Sequence, residues 1–318
     1  MAAVTDWTFE GTWPYEPKWF DSPDGRMHYV DEGPRDGRPV VMVHGNPTWG
    51  YLYRNFIGPL VEAGHRAIVP DHLGFGRSEK PRDPELYRVP RHARRLDALL
   101  ESLDLRGAVV VPQDWGGPIG LYWATQHPER VDGLFILNTY AHGFRREALP
   151  PGETKIPLPL PLKLFRTPVV GEVMVKGMDA FKRGFLFGQG VMHKERLTPT
   201  VKRAYRAVHS GWSDRTPILV FPREIPVTGK GPVVAMTTKI EEGLKRDFRS
   251  KPVHITWAMK DVAFLPIYLD TLWLETFPDA SVTKLEDAGH YLQEDAHERI
   301  VPELVGFVGR LERDVGSS

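Results

Sequence analysis

The sequence has no cysteine among its 318 residues. That excludes disulfides, thiolate metal sites and a cysteine nucleophile, and constrains the compartment only weakly. It also lacks an excess of charge of either sign, since 41 Lys plus Arg balance 41 Asp plus Glu. With no basic tail, that balance argues against a nucleic-acid partner or an anionic membrane and suits a small neutral substrate. No apolar run reaches the roughly 18 residues of a membrane span. The opening MAAVTDWTFEGTWPYE lacks the basic segment and apolar core of a secretory signal, so a cytoplasmic protein is expected. What is present is enough apolar material, 41% of the chain, to bury a large α/β core in one or two domains.

KWFDS and RMHYVDE alternate apolar and polar residues around the turn residues SPDG, which predicts a hairpin. PVVMVH (39–44) and HRAIVP, whose apolar part ends at Val69, are compact β-branched runs separated by a helical stretch over 51–62. Such alternation predicts parallel strands joined by crossover helices. Leu96, Leu99, Leu100 and Leu103 mark one face of a further helix, with Arg91, Arg94 and Arg95 on its wet side. AVVVP, a helical segment over 119–126 and the buried run VDGLFILN (131–138) continue the pattern. Over 140–251 it changes: the proline-rich connector KIPLPLPLKLFRTP precedes helical pieces near 174–187 and 198–209, without strand alternation. The α/β pattern resumes with PVHITWAMKD, a helix over 267–277, a strand over 281–285 and a last amphipathic helix carrying Ile300, Leu304, Val308 and Leu311. The expected organisation is a core made of 1–139 and 252–318, interrupted by a helical insertion over 140–251. There is no internal repeat, heptad array or low-complexity tail.

The stretch VVVPQDWGGPIG (109–120) has the pattern of a nucleophile elbow, a strand that turns sharply into a helix and exposes a reactive side chain between small neighbours. Asp114 stands where such elbows usually carry serine, and Gly116 and Gly117 supply the small residues. Pro112 departs from the usual small residue, although its fixed φ suits a strand end. Read alone, the segment is equally an ordinary strand end with a turn aspartate. The other members of a triad should follow in the order acid, then histidine, each after a strand. Asp261 directly follows HITWAMK, and His290 lies in LEDAGHYLQED after the next strand. Asp270 is expected on a helix and Asp287 is too near His290 in sequence, so Asp261 is the favoured acid; a structural histidine is the bland reading of His290. HGNPTWG (44–50) follows the third strand, where the fold places an oxyanion donor, here the Asn46 N–H. The Asn46 amide and the Trp115 indole are two further N–H donors for one anion, set against plain turn-forming and core-packing roles. DHLGFGRSEKP (71–81) lacks the ending of a phosphate loop and reads as a tight active-site-side loop, and the histidines form no H-E-x-x-H cluster. Neither cofactor nor metal is expected.

Together HGNPTW, QDWGGP, MKDVAF and GHYLQED resemble the haloalkane dehalogenases of the α/β-hydrolase superfamily, over about residues 19–311. The resemblance implies an α/β-hydrolase fold, a mostly parallel sheet flanked by helices with a helical cap after the sixth strand. It is nearest to the subfamily with an Asp-His-Asp triad and an Asn plus Trp halide pair. The implied roles are nucleophile for Asp114, base for His290 and acid for Asp261, with Asn46 and Trp115 holding halide and oxyanion. Relatives that use a glutamate after the sixth strand would carry it where Asn138 stands. The implied partners are a small halogenated alkane, water and the halide product; a homo-oligomer and the preferred haloalkane stay open. Trp212, in the insertion, is a weaker halide ligand on this reading. Epoxide hydrolases share the machinery but need a pair of cap tyrosines, for which only Tyr140 and Tyr205 are at hand. Fluoroacetate dehalogenases need arginines after the nucleophile, where Trp115, Gly116 and Gly117 stand. A hydrolase-fold binding protein without catalysis is the alternative of another class.

Overall fold

The computed structural model describes residues 6–145, 149 and 152–315, without the side chains of 312–315. The outer ends of both expected core segments and a short piece of the insertion lie outside these residues. Among the described residues eight strands form one sheet, in the order β1-β2-β4-β3-β5-β6-β7-β8. They are β1 Lys18–Ser22, β2 Gly25–Glu32, β3 Pro39–Val43, β4 Arg66–Pro70, β5 Ala108–Pro112, β6 Val131–Leu137, β7 Val253–Ala258 and β8 Ser281–Leu285. The predicted hairpin is β1 and β2, antiparallel to each other, and β2 is antiparallel to β4. From β4 through β3 to β8 every pairing is parallel.

Strands β3, β4, β5 and β7 are buried at every residue. That is why they read as continuous apolar runs: a parallel sheet is covered by helices on both faces. The covering helices include α1 Arg54–Glu62, α2 Val89–Ser102 and α3 Gly116–Gln126. Helix α2 packs on α3 and buries Leu96, Leu99 and Leu100 as its spacing predicts. Arg95 departs from the expected wet side. It is buried, donating to Asp24 Oδ2 at 2.5 Å and to the Leu86 carbonyl at 2.7 Å, so its charge is paired rather than solvated.

Between β6 and β7 the named elements of the described chain are all helical, joined by loops, and include α4 Leu160–Arg166, two wide π-type turns Glu172–Gly177 and Lys182–Gln189, α5 Pro199–Ala207, α6 Thr216–Glu224 and α7 Pro232–Asp247. Two expectations are corrected here. The helix expected over 174–187 is broken at Asp179, whose φ of 56° cannot continue a right-handed helix. The expected connector KIPLPLPLKLFRTP contains α4, because its prolines fall at the cap and in the first turn, where no intrahelical N–H is required. Helix α7, not anticipated from the sequence, packs on α3 and α2. After β7 come α8 Pro266–Tyr268, a wide turn Leu269–Leu274, and α9 Leu292–Val315, which packs on α1. No helix among the described residues is long and apolar enough to cross a membrane.

Candidate active site

Pro112 is the last residue of β5, where its missing N–H costs no ladder bond. Two residues on, Asp114 has φ 53°, in the left-handed region, a conformation worth about 1–3 kcal/mol of strain for a non-glycine residue. The surroundings over-determine it. Its N–H donates to the Asn138 carbonyl (2.9 Å), and its own carbonyl accepts from the Gly117 N–H (3.1 Å) and the Thr139 hydroxyl. A Cβ at Gly116 would run into the Val43 carbonyl, and one at Gly117 into the Thr139 hydroxyl and the Tyr140 carbonyl. The two glycines therefore let α3 start close enough to β3 and β6 for the turn to close.

The turn points the Asp114 carboxylate at two loops from other strand ends. After β3, the Asn46 N–H donates to Asp114 Oδ1 at 2.7 Å. After β8, His290 Nε2 lies 3.5 Å from Asp114 Oδ2. His290 Nδ1 is 2.9 Å from Asp261 Oδ2. Asp261, after β7, is fixed in turn: Oδ1 accepts from the N–H groups of Ala263 (2.7 Å) and Phe264 (3.1 Å), and Oδ2 accepts from Asn138 Nδ2 (3.0 Å). The three residues expected to form a triad are thus brought together. Burial opposes charge on the imidazole, but the carboxylates of Asp261 and Asp114 outweigh it and raise the His290 pKa to about 10. The resting ring is an imidazolium between two carboxylates. It sits among the rings of Phe185, Phe264 and Tyr291, at 5.0, 5.6 and 4.6 Å between centroids.

The two expected anion donors flank the same carboxylate. Trp115 packs against Phe221 of α6 (5.3 Å) and Tyr140 (5.6 Å), and its indole Nε1 has no protein acceptor among the described residues. Asn46 Nδ2 instead donates to the Ile218 carbonyl of α6 at 3.2 Å. Helix α6 therefore roofs the donors. Trp212 does not join them: it is 49% exposed, with the Lys176 ammonium over its ring. Tyr205 is fully buried and donates to Glu294 Oε1 at 2.5 Å, a carboxylate also held by Arg54. Asp287 is engaged by Arg299 at 2.7 Å and Asp270 is exposed on its helical turn, so neither competes with Asp261. In the loop after β4, Asp71 is a buried structural carboxylate, accepting from the Gly50 and Arg77 N–H groups beside His28. Among the described residues no group of three His, Asp or Glu side chains is arranged to hold a metal.

Several contributors carried no sequence signal. Asn138 stands out in the sequence only as the place where some relatives carry a glutamate, yet its amide bridges Asp261 and the Ala258 N–H. Asp295 accepts from the N–H groups of Gly289, Met192 and His193, which ties the His290 loop to the insertion. The Ile218 carbonyl is invisible to side-chain reasoning altogether.

Known proteins agree with this architecture. Residues 38–155 match a family model described as alpha/beta hydrolase fold. A cis-3-alkyl-4-alkyloxetan-2-one decarboxylase of Shewanella oneidensis is 35% identical over 301 residues, 94% of this chain and 90% of that protein. Haloalkane dehalogenase 2 of Mycobacterium bovis is 34% identical over 301 residues, 93% of this chain and 96% of that protein. The crystal structure of haloalkane dehalogenase DbeA from Bradyrhizobium elkani is similar with a TM-score of 0.83 at 28% identity, over 94% of this chain and 99% of that one. With an aspartate at its nucleophile elbow and relatives of this identity along nearly its whole length, the chain belongs to the haloalkane dehalogenase family of α/β hydrolases.

Proposed function

We propose that this chain is a haloalkane dehalogenase, hydrolysing carbon–halogen bonds to an alcohol, halide and a proton, without a cofactor. The observation that carries the reading is a carboxylate, not a hydroxyl, at the elbow, with Oδ1 on the Asn46 N–H and Oδ2 facing His290. A carboxylate is ionised at neutral pH and displaces halide from an sp³ carbon without a base, whereas serine must first lose a proton. In the first step Asp114 forms an alkyl ester, the C–X electron pair leaves on the halide, and the Trp115 indole and the Asn46 amide N–H not used by the Ile218 carbonyl receive it. Ester formation removes one of the two negative charges that hold the His290 proton, which passes to solvent as the proton the overall reaction releases and leaves a neutral imidazole able to act as base. It then activates water against the ester carbonyl carbon, Asp261 stabilises the imidazolium, and the N–H groups of Asn46 and Trp115 take the oxyanion, each worth about 3 kcal/mol. The insertion over 140–251 acts as the cap, with α6 roofing the leaving-group donors. The place of action is the cytoplasm.

Loss of a hydrogen bond to a developing anion costs roughly 1.5–3 kcal/mol. Trp115→Phe is therefore expected to slow halide release by about tenfold to a hundredfold, chloride suffering more than iodide as the poorer leaving group. Steady-state kcat/KM on 1-chlorobutane and 1-iodobutane measures both effects. Tyr205→Phe leaves both rates close to wild type on this account, because its hydroxyl is committed to Glu294.

The resting ion pair has a signature in stability. A His290 pKa raised from its ordinary value of about 6.5 to about 10 contributes stability that is fully present below the lower value and lost as pH rises through the upper one. The Tm advantage of wild type over His290→Gln is expected to shrink between pH 7 and pH 10.5. An advantage that grows over that range contradicts the ion pair.

A second reading has a specific basis in the oxetan-2-one decarboxylase relative. The same carboxylate can attack C4 of a β-lactone: the alkyl C–O bond breaks, a carboxylate is left on C3, and loss of carbon dioxide forms the alkene and expels Asp114 unchanged. That route consumes no water and needs no base, whereas His290 and Asp261 form the pair that ester hydrolysis requires. The geometry therefore favours the dehalogenase. Incubation with 1,2-dibromoethane, 1-iodobutane, styrene oxide and a cis-3,4-dialkyloxetan-2-one, following halide, diol and alkene, decides between them. Halide from the first two supports the proposal; alkene without halide replaces it with the decarboxylase, and diol without halide with an epoxide hydrolase.

A further inference from the structure

The wall beside Asp114 contains a hydroxyl that the chemistry above does not use. Tyr140 is the second residue beyond Asn138, on the strand end whose Thr139 pairs with Asp114. Its ring lies edge-on to Trp115 at 5.6 Å and stacks on Phe264 at 6.0 Å, and Phe264 stacks on His290. The ring thus bridges the indole donor and the wall on the histidine side. The Tyr140 hydroxyl is sealed from solvent and has no hydrogen-bond partner among the described residues. Burial pushes its pKa well up, and the carboxylates of Asp114 and Glu224 push it further, so the phenol stays protonated and available as a donor.

The two carboxylates that act on this phenol are engaged by other groups. Asp114 Oδ1 is on the Asn46 N–H and Oδ2 faces His290. Glu224 is held by the Arg88 guanidinium (3.0 Å) and the Val89 N–H (3.4 Å). On the donor side, one of the two N–H bonds of the Asn46 amide already donates to the Ile218 carbonyl. Trp115 Nε1 and the Tyr140 hydroxyl are therefore two donors, on adjacent rings, that have no acceptor among the described residues.

We propose that the Tyr140 hydroxyl is a donor to the leaving group beside the Trp115 indole, and that it sets which leaving groups the site accepts. The inference rests on the dehalogenase reading. As the C–X bond breaks and the electron pair moves to halide, the phenol O–H donates a hydrogen bond to it without transferring the proton. The smaller, harder chloride gains most from such a donor and iodide least.

The test is Tyr140→Phe, which keeps the ring and both aromatic contacts. Two readouts are taken: the bromide dissociation constant by calorimetry, and the ratio of kcat/KM for 1-chlorobutane to that for 1-iodobutane. Bromide is expected to bind about tenfold more weakly, and the ratio to fall by a similar factor. An unchanged bromide affinity together with an unchanged ratio overturns the proposal and leaves Tyr140 as a packing ring. If the variant does not fold, Tyr140 replaced by 3-fluorotyrosine in the full chain carries the test, since its fluorine resonance must then move on adding bromide, and a fixed resonance is equally adverse. Wild type that neither binds bromide nor releases halide removes the dehalogenase reading itself, and this inference with it. Wild type that does both while Tyr140→Phe matches it removes this inference alone.

Discussion

Asp114→Asn is expected to reduce halide release by at least about 10⁴-fold, the scale on which a lost nucleophile is felt. Asparagine tolerates the left-handed conformation that position 114 requires, so the elbow closes as before, and Tm falls only by the share of the His290 ion pair that Asp114 supplies. The carboxamide cannot displace halide, and no second carboxylate stands at the elbow. The remaining donors cannot replace it: an oxyanion site accelerates attack on a carbonyl, and the haloalkane offers an sp³ carbon until the ester exists. Asp114→Ala is expected to behave alike. More than a trace of activity in either pure variant, with the native fold retained, removes Asp114 from the chemistry.

His290→Phe is the complementary case. Displacement needs no base, so it proceeds, but water is no longer activated and the ester persists. The phenyl ring fits among Phe185, Phe264 and Tyr291, which already surround the imidazole with aromatic faces and edges. Exposure to 1-iodobutane is expected to release one iodide per chain and then stop. Mass spectrometry is expected to find a butyl group on the peptide that contains Asp114. Unmodified peptide after long exposure, or alkylation at another residue, contradicts the division of labour between the two residues.

How much of this was legible in the sequence depended on whether a signal was local. The buried strands were legible because a two-sided parallel sheet needs uninterrupted apolar runs, as in AVVVP and PVVMV. The elbow was legible because its turn needs small residues at fixed offsets, and Asp261 and His290 because they follow strands whose C-terminal ends share one rim of the sheet. Where the outcome depended on contacts remote in sequence, the reading failed. Arg95 looked solvated because nothing local announces Asp24 as its partner. The break at Asp179 overrides a helical pattern on both sides of it. The commitment of the Asn46 amide to the Ile218 carbonyl joins residues far apart in the chain through a backbone atom, which no residue type encodes.

The central claim is that an Asp114 ester, and not water, first takes the place of the halide. It is tested most directly by a single turnover of 1-iodobutane with wild-type protein in excess, in water enriched in heavy oxygen. Water attacks the ester carbonyl carbon on this account, so the first butanol released carries ordinary oxygen from the Asp114 carboxylate, and the label appears in the peptide containing Asp114. Labelled butanol from the first turnover, with an unlabelled Asp114 peptide, means that water displaced the halide directly and contradicts the account.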